Sequence, residues 1–157
     1  LKTTPAELFG RAEAAMREIR ELHQTVEKMK DRLFAGEVDQ FLFSAKSIGG
    51  LKVLTANRGA ADAADLRRMG DFLRDKNSGI VAVLSAINGE KVTLLAVCGK
   101  DAIAKGVKAG DIIRTIAPIV GGKGGGKPDS AMGGGSEVLK VDDALAAVDD
   151  YVASKVQ

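Results

Sequence analysis

The sequence predicts an α+β fold in which a long, coiled-coil-like N-terminal helix precedes a small mixed β-sheet domain with packed helices and a glycine-rich loop. Three observations lead to this prediction. Apolar residues recur in heptads over residues 8–33, two apolar segments joined by a turn lie in mid-chain, and glycines cluster at 121–135. Heptads are typical of long helices, and short apolar segments beside turns are typical of strands. The predicted organisation is a helical subdomain at 1–47 and a globular α/β subdomain at 48–157.

The composition is that of one soluble domain. A chain of 157 residues with 45% hydrophobic and 28% charged residues is long enough to enclose a core. No apolar run approaches the ~18 residues of a membrane span, so we expect no membrane partner. Cys98 is the only cysteine, which excludes an internal disulfide and makes a reducing, cytoplasmic location the expectation. Because the chain begins at Leu1 rather than Met, we expect a fragment of a longer parent.

The first helix is predicted to begin at a capping box, with Thr4 as cap, Pro5 at the first helical position and Glu7 completing the box. An apolar seam with heptad spacing follows. The seam could pair with a second chain or pack on a neighbouring helix of the parent, so self-association through residues 6–34 stays open. His23 is expected to pack, half-buried, at the edge of this stripe. The seam consists of Leu8, Ala12, Ala15, Ile19, Leu22, Val26, Met29 and Leu33.

The remaining elements are predicted from periodicity and turn residues. Gly36 is expected to end the long helix, and residues 37–47 to form a separate short helix. Asn88-Gly89 is the strongest hairpin signal, and Pro118 is expected to kink its helix or end it at Ala117. Strands are predicted at 51–56, 79–87 and 91–98, and helices at 62–74, 109–120 and 141–156.

Residues 121–135 hold eight of the chain's nineteen glycines, together with Lys123 and Lys127. Because each glycine lowers helix stability by about 1 kcal/mol relative to alanine, we predict a loop. Glycine would allow either of two arrangements: the loop passes tightly against its own sheet, or a ligand approaches the main chain. In the second case, exposed amides beside two ammonium groups would suit a phosphate or an RNA backbone.

This stretch does not match either of the two common nucleotide-binding motifs. Gly121-x4-Gly126-Lys127 matches the start of a P-loop, but Pro128 stands where Ser or Thr would bind magnesium. The dinucleotide pattern G-x-G-x-x-G fails at Lys127. With one histidine and one cysteine, no metal site or catalytic set can be assembled. The sequence therefore predicts a non-enzymatic chain without a metal or cofactor of its own.

The charge distribution is more informative than the net charge of +2. Residues 100–127 carry six basic side chains against two acidic ones, whereas residues 137–157 carry five acidic side chains against two lysines. The basic excess adjoins the glycine-rich stretch, which is either chance clustering on a solvated surface or part of an anion-binding surface.

The pattern GGKGGG, a basic residue, Pro-Asp, Ala and a second glycine cluster resembles the glycine motif near the C-terminus of alanyl-tRNA synthetases. Those enzymes share the domain with DHH-family phosphoesterases, and the whole chain is similar to that C-terminal region. The resemblance implies an RNA-binding set and a loop-shaping set. The RNA-binding set that the resemblance implies is Gly121, Gly122, Lys123, Gly124, Gly125, Gly126 and Lys127, and the loop-shaping set is Pro128, Asp129, Gly133, Gly134 and Gly135. Lys108 and Arg114 are added to the RNA-binding set from the basic excess of residues 100–127.

The resemblance also implies a function. The chain would be a tRNA-binding C-terminal appendage that contacts the backbone at the elbow of alanine tRNA and helps couple aminoacylation to editing. Its partners would be tRNA and other domains of the parent, and ATP, alanine and zinc are expected only for the parent enzyme. Three alternatives stay open. They are a substrate-binding domain of a DHH phosphoesterase, a free-standing alanyl-tRNA editing protein, and a dimerisation module in which the helix is the functional part.

Overall fold

The computed structural model describes residues 4–156, so the predicted subdomain bounds at residues 1 and 157 lie outside the described residues. The chain divides between Glu37 and Val38 into two compact units. The α+β class is confirmed, because a long N-terminal helix precedes a six-stranded mixed sheet with helices.

The first helix, α1, spans Pro5–Ser44, and its predicted capping box is confirmed. The Glu7 amide donates to Thr4 Oγ1 at 3.2 Å and the Thr4 amide donates to Glu7 Oε2 at 3.1 Å. The predicted break at Gly36 and the separate helix at 37–47 are wrong, because α1 continues to Ser44. A single glycine lowers the stability of a helix by only about 1 kcal/mol relative to alanine, which is too little to end a helix of 40 residues.

The heptad seam of α1 is exposed within the first unit. Its large apolar side chains, with Phe9 and Met16 beside them, are between 48% and 68% exposed. His23 is exposed rather than half-buried, and its Nδ1 lies 3.2 Å from the Ile19 carbonyl oxygen one turn earlier. The apolar face that the heptad pattern defines is therefore solvent-exposed within the described part of the first unit, and pairing through it stays a prediction.

The second unit is built on a six-stranded sheet in the order β1-β2-β3-β4-β6-β5. Strands β2 and β3 are parallel, and all other neighbours are antiparallel. The three predicted strands are confirmed as β2, β3 and β4, whereas β1, β5 and β6 were missed. The strands are β1 (Lys46–Ile48), β2 (Leu51–Asn57), β3 (Ile80–Asn88), β4 (Lys91–Cys98), β5 (Lys123–Gly126) and β6 (Ser130–Gly135).

Helices cover both faces of the sheet. On one face α2 (Ala63–Lys76) packs on β3 and β4, where Gly70 lies against Leu95 and Val97. The other face carries the main core, with α3 (Lys100–Ala104), α4 (Ala109–Ile116) and α5 (Val141–Lys155). As expected from Pro118, α4 ends at Ile116, and a 3₁₀ turn over Ala117–Val120 leads to the glycine-rich stretch. This face positions the site, because α4 packs directly on β5.

Candidate nucleic-acid interface

The glycine-rich stretch is a β-hairpin at the edge of the sheet, so the prediction of a loop over 121–135 is wrong. Strand β5 pairs with β6 through register partners such as Lys123 with Gly134 and Gly125 with Met132. The Lys127 amide closes the turn by donating to the Ser130 carbonyl at 3.0 Å. Since β5 is the last strand of the sheet, its outer edge has no neighbouring strand.

Most glycines of the hairpin are required by close packing within the protein. A Cβ built at Gly124 or Gly133 would lie 2.5 or 2.7 Å from Ile113 Cγ2 of α4. A Cβ at Gly126 would lie 2.7 Å from the Ala131 Cα. The same kind of overlap, with backbone atoms of the second unit, occurs at Gly122, Gly134 and Gly135. Gly121 has φ +70, in the left-handed region that favours glycine. Close packing explains six of these positions, and backbone geometry explains Gly121.

Gly125 differs from the other glycines of the stretch. A Cβ built there would have Arg114 Nε as its nearest atom, at an ordinary contact distance of 3.7 Å. Its φ is also outside the left-handed region that favours glycine. Neither packing nor backbone geometry within the second unit demands glycine at this position.

The hairpin turn is fixed to the rest of the second unit. The Ala109 amide donates to the Pro128 carbonyl at 2.8 Å, and the Cys98 amide donates to the Asp129 carbonyl at 3.0 Å. The Asp129 carboxylate accepts from Arg74 Nη1 of α2 at 3.2 Å. The turn is therefore joined to α2, α4 and β4 at once, in contrast to a free loop.

Only part of the main chain at 121–127 is directed outward. The amides of Gly121 and Gly122 donate to the carbonyls of Pro118 and Ala117, both at 3.0 Å. In an antiparallel ladder, the amides of alternate residues point toward the partner strand. The Lys127 amide points toward β6, because it donates to Ser130, so the amides of Gly124 and Gly126 point away from β6. These two amides point away from β6 on either side of Gly125, and that of Gly126 lies beside the first turn of α4, where a Cβ built at Gly110 would be 3.6 Å from the Gly126 nitrogen.

Basic side chains flank this edge from both faces of the sheet. The strand register pairs Lys123 with Gly134 and places its side chain on the α2 face of the sheet. Lys127 pairs with Ser130 and lies on the same face. Lys108 and Arg114 come from α4 on the other face, and together with Gly126 they border a surface pocket of about 240 Å³. The structure thus brings the four predicted cations to the two faces of one hairpin.

Arg67 and Arg74 of α2 also lie beside the hairpin, and the sequence analysis missed them. Arg67 Nε lies 2.9 Å from Met132 Sδ, and Arg74 pairs with Asp129. No sequence signal could have shown this, since it depends on how α2 crosses the sheet.

Cys98 is an unreactive core thiol. Burial, with a smaller contribution from the Asp129 charge, raises the pKa of Cys98 to about 12.

Within residues 4–156 no group of His, Cys, Asp or Glu side chains is arranged to hold a metal ion. In the same part of the chain, no helix is long and apolar enough to cross a membrane.

Comparison with known proteins identifies similar chains. The family model described as the DHHA1 domain matches residues 50–154. Alanine–tRNA ligase of Polynucleobacter asymbioticus is 43% identical over 155 residues, which is 99% of this chain and 18% of that protein. Alanine–tRNA ligase of Acetivibrio thermocellus is 38% identical over 156 residues, with the same two shares. The chain thus spans about 18% of the length of these relatives, and matches a part of a ligase rather than a whole one.

Two solved structures share the fold. The C-Ala domain from Aquifex aeolicus alanyl-tRNA synthetase aligns with a TM-score of 0.65 at 24% identity, over 70% of this chain and 98% of that one. RecJ from Thermus thermophilus, solved in complex with Mg²⁺, aligns with a TM-score of 0.58 at 17% identity, over 95% of this chain and 24% of that one.

Proposed function

The chain belongs to the DHHA1 domain family, and from that premise we propose that it is the tRNA-binding appendage of an alanine–tRNA ligase. The relatives that match 99% of its length carry that enzyme's name. In this proposal the outer edge of β5 contacts the tRNA backbone. Contact with the elbow of alanine tRNA, coupling of aminoacylation to editing, a cytoplasmic location, and ATP, alanine and zinc for the rest of the enzyme belong to the same proposal.

The observation that carries the proposal is Gly125. Six other glycines of the stretch are explained by contacts within the protein and Gly121 by its positive φ, but Gly125 would accept a methyl group without displacing any atom. Glycine at such a place is useful when another molecule approaches the main chain closely. The outward amides of Gly124 and Gly126 and the side chain of Arg114 surround this position, and together they offer hydrogen-bond donors to a phosphate oxygen.

The edge is suited to backbone contact rather than to base reading. Aromatic residues make up 4% of the chain, and the hairpin strands contain none. Base stacking needs aromatic faces, whereas phosphate contacts need cations and amides. Recognition of RNA shape and backbone follows from this composition.

The proposal is tested by the double variant Lys123→Ala with Lys127→Ala. We expect tRNA affinity in a filter-binding titration to fall at least several-fold, and the slope of log K against log salt to become shallower by roughly 1.4 to 1.8, because two phosphate contacts are lost.

The control is Lys28→Ala with Lys52→Ala, which removes the same charge from α1 and β2. Equal affinities for wild type and the hairpin variant, or equal losses in both double variants, would contradict the proposal. Displacement of tRNA from the wild type by a mononucleotide would instead support the substrate-binding role of a DHH phosphoesterase.

A second candidate function is self-association through residues 6–34, and the exposed seam of α1 favours it. Its large apolar side chains are at least 48% exposed, and heptad seams of this kind are commonly buried by a partner helix. Light scattering at tens of micromolar should show a dimer that Ile19→Lys with Val26→Lys dissociates. A monomeric wild type at that concentration would exclude this role.

A further inference from the structure

Arg114 is held at the open edge of β5 by a carboxylate of its own helix. Its Nη1 donates to Asp111 Oδ1 at 2.6 Å, one turn earlier on α4. The same side chain reaches over the edge strand, with Nε 3.7 Å from the Cβ position built at Gly125. The Arg114 side chain is 62% exposed and that of Asp111 is 40% exposed, so a ligand can reach the pair.

The surroundings of the pair fit a phosphate contact. Asp111 and Arg114 border the pocket of about 240 Å³ together with Lys108 and Gly126. With Nη1 bound to Asp111, the guanidinium retains other N–H groups that can donate to phosphate oxygens.

Asp111 has two opposite effects on the binding of a polyanion. Its charge repels phosphate, which at roughly 6 Å in the dielectric of water lowers affinity about threefold per unit charge, by about twofold at physiological salt, and by more where the protein lowers the local dielectric. Its hydrogen bond orders Arg114 before the ligand arrives, which is worth a factor of about two to ten because the long side chain need not be immobilised on binding. Asp111 therefore favours binding only where the ordering of Arg114 outweighs this repulsion.

We propose that Asp111 is a positioning residue for RNA binding: it holds the Arg114 guanidinium across Gly125, where a phosphate of the RNA backbone is bound. The inference rests on the proposed RNA contact of the hairpin. It assigns a favourable role to an acidic residue in an anion site, which charge counting alone would treat as inhibitory.

The test is a double-mutant cycle of Asp111→Asn and Arg114→Ala, with affinity for an alanine tRNA transcript measured at physiological salt. Asp111→Asn in the wild-type background should weaken binding about two- to fivefold. In the Arg114→Ala background the same substitution should leave affinity unchanged or tighten it by less than about threefold, because only repulsion remains. Glu137→Gln is the matched control: its carboxylate contacts Lys140 and lies beside Gly121 rather than Gly125, so its loss should not weaken binding.

Each outcome of the cycle decides the inference. Tighter binding by Asp111→Asn in both backgrounds, or weaker binding by the same factor in both, would overturn the positioning role while leaving the RNA contact intact. No effect of Arg114→Ala would also overturn it. If that result came with full affinity in the Lys123→Ala and Lys127→Ala variant, the RNA contact itself would be refuted. Thermal melting of each variant separates these results from loss of folding.

Discussion

The adjacent glycines Gly124 and Gly125 differ in how much space a side chain would have at each position. At Gly124 a methyl group would meet Ile113 Cγ2 at 2.5 Å, whereas at Gly125 the nearest atom is 3.7 Å away. Glycine at 124 is therefore a requirement of the fold, whereas the fold does not require glycine at 125, where our proposal places an RNA phosphate. The sequence cannot separate the two positions, because both lie in one run and the difference depends on where α4 crosses the strand.

Alanine substitutions should separate these two roles by stability alone. We expect Gly124→Ala to lower the free energy of unfolding by about 1–3 kcal/mol, since the methyl group overpacks the contact with α4. Gly125→Ala should change it by less than about 0.5 kcal/mol, as for surface substitutions. Urea denaturation followed by circular dichroism measures both, and equal losses would show that Gly125 is also a packing position.

The buried thiol of Cys98 predicts a pH dependence of stability. Burial raises the pKa of Cys98 from its ordinary value of 9.0 to about 12 in the folded protein, so the folded state retains the proton to higher pH than the unfolded state. Its contribution to stability is complete below pH 9.0 and is lost as the pH rises toward 12, by up to about 1.4 kcal/mol per pH unit. Urea titrations at pH 8 and 10.5 should show a smaller loss for Cys98→Ala than for wild type, and identical losses would contradict the shifted pKa.

At the scale of elements, the sequence was informative wherever local chemistry decides the outcome. The capping box at Thr4 and Glu7, the strands that became β2, β3 and β4, and the end of α4 before Pro118 followed from propensity and turn residues. Strands β5 and β6 did not, because glycine has low strand propensity, and only pairing with β4 and packing on α4 make these segments strands. Of the site, the four cations could be named, but the outward direction of two amides could not.

The continuity of α1 can be tested at Gly36. In a continuous helix with no atom within 4 Å of the added methyl group, Gly36→Ala should stabilise the helix by up to about 1 kcal/mol. Ellipticity at 222 nm and its thermal midpoint should rise. Gly49→Ala is the opposite control, since Gly49 has φ +58 and a Cβ there would meet the Val156 side chain. A lower thermal midpoint for Gly36→Ala would indicate that the helix is broken at Gly36 and would contradict a continuous α1.

At the scale of the whole chain, residues distant in sequence meet at the hairpin. The six basic residues of 100–127 do not all gather there, because Lys105 donates to the Gly49 carbonyl at 2.7 Å. Lys108, at the N-cap of α4, and Arg114, within α4, lie beside the hairpin, and Lys123 and Lys127 belong to the hairpin itself. In our proposal these four cations and the outward amides form a modest anion-binding surface on a chain whose net charge is only +2.

This arrangement predicts the salt dependence of tRNA binding. If four cations contact phosphates, log K should fall against log salt with a slope of roughly −3 to −4. Titrations of the wild type between 50 and 300 mM KCl measure the slope, and Lys28→Ala with Lys52→Ala should leave it unchanged. A slope near zero would mean that phosphates are not what the hairpin binds.

The central claim is that the outer edge of β5 contacts RNA at Gly125. It is tested most directly by the affinity of Gly125→Ala for alanine tRNA, measured beside its unfolding free energy. We predict unchanged stability together with binding weakened at least several-fold, because the methyl group occupies the space of a phosphate. A variant as stable as wild type that binds tRNA equally well would contradict the claim.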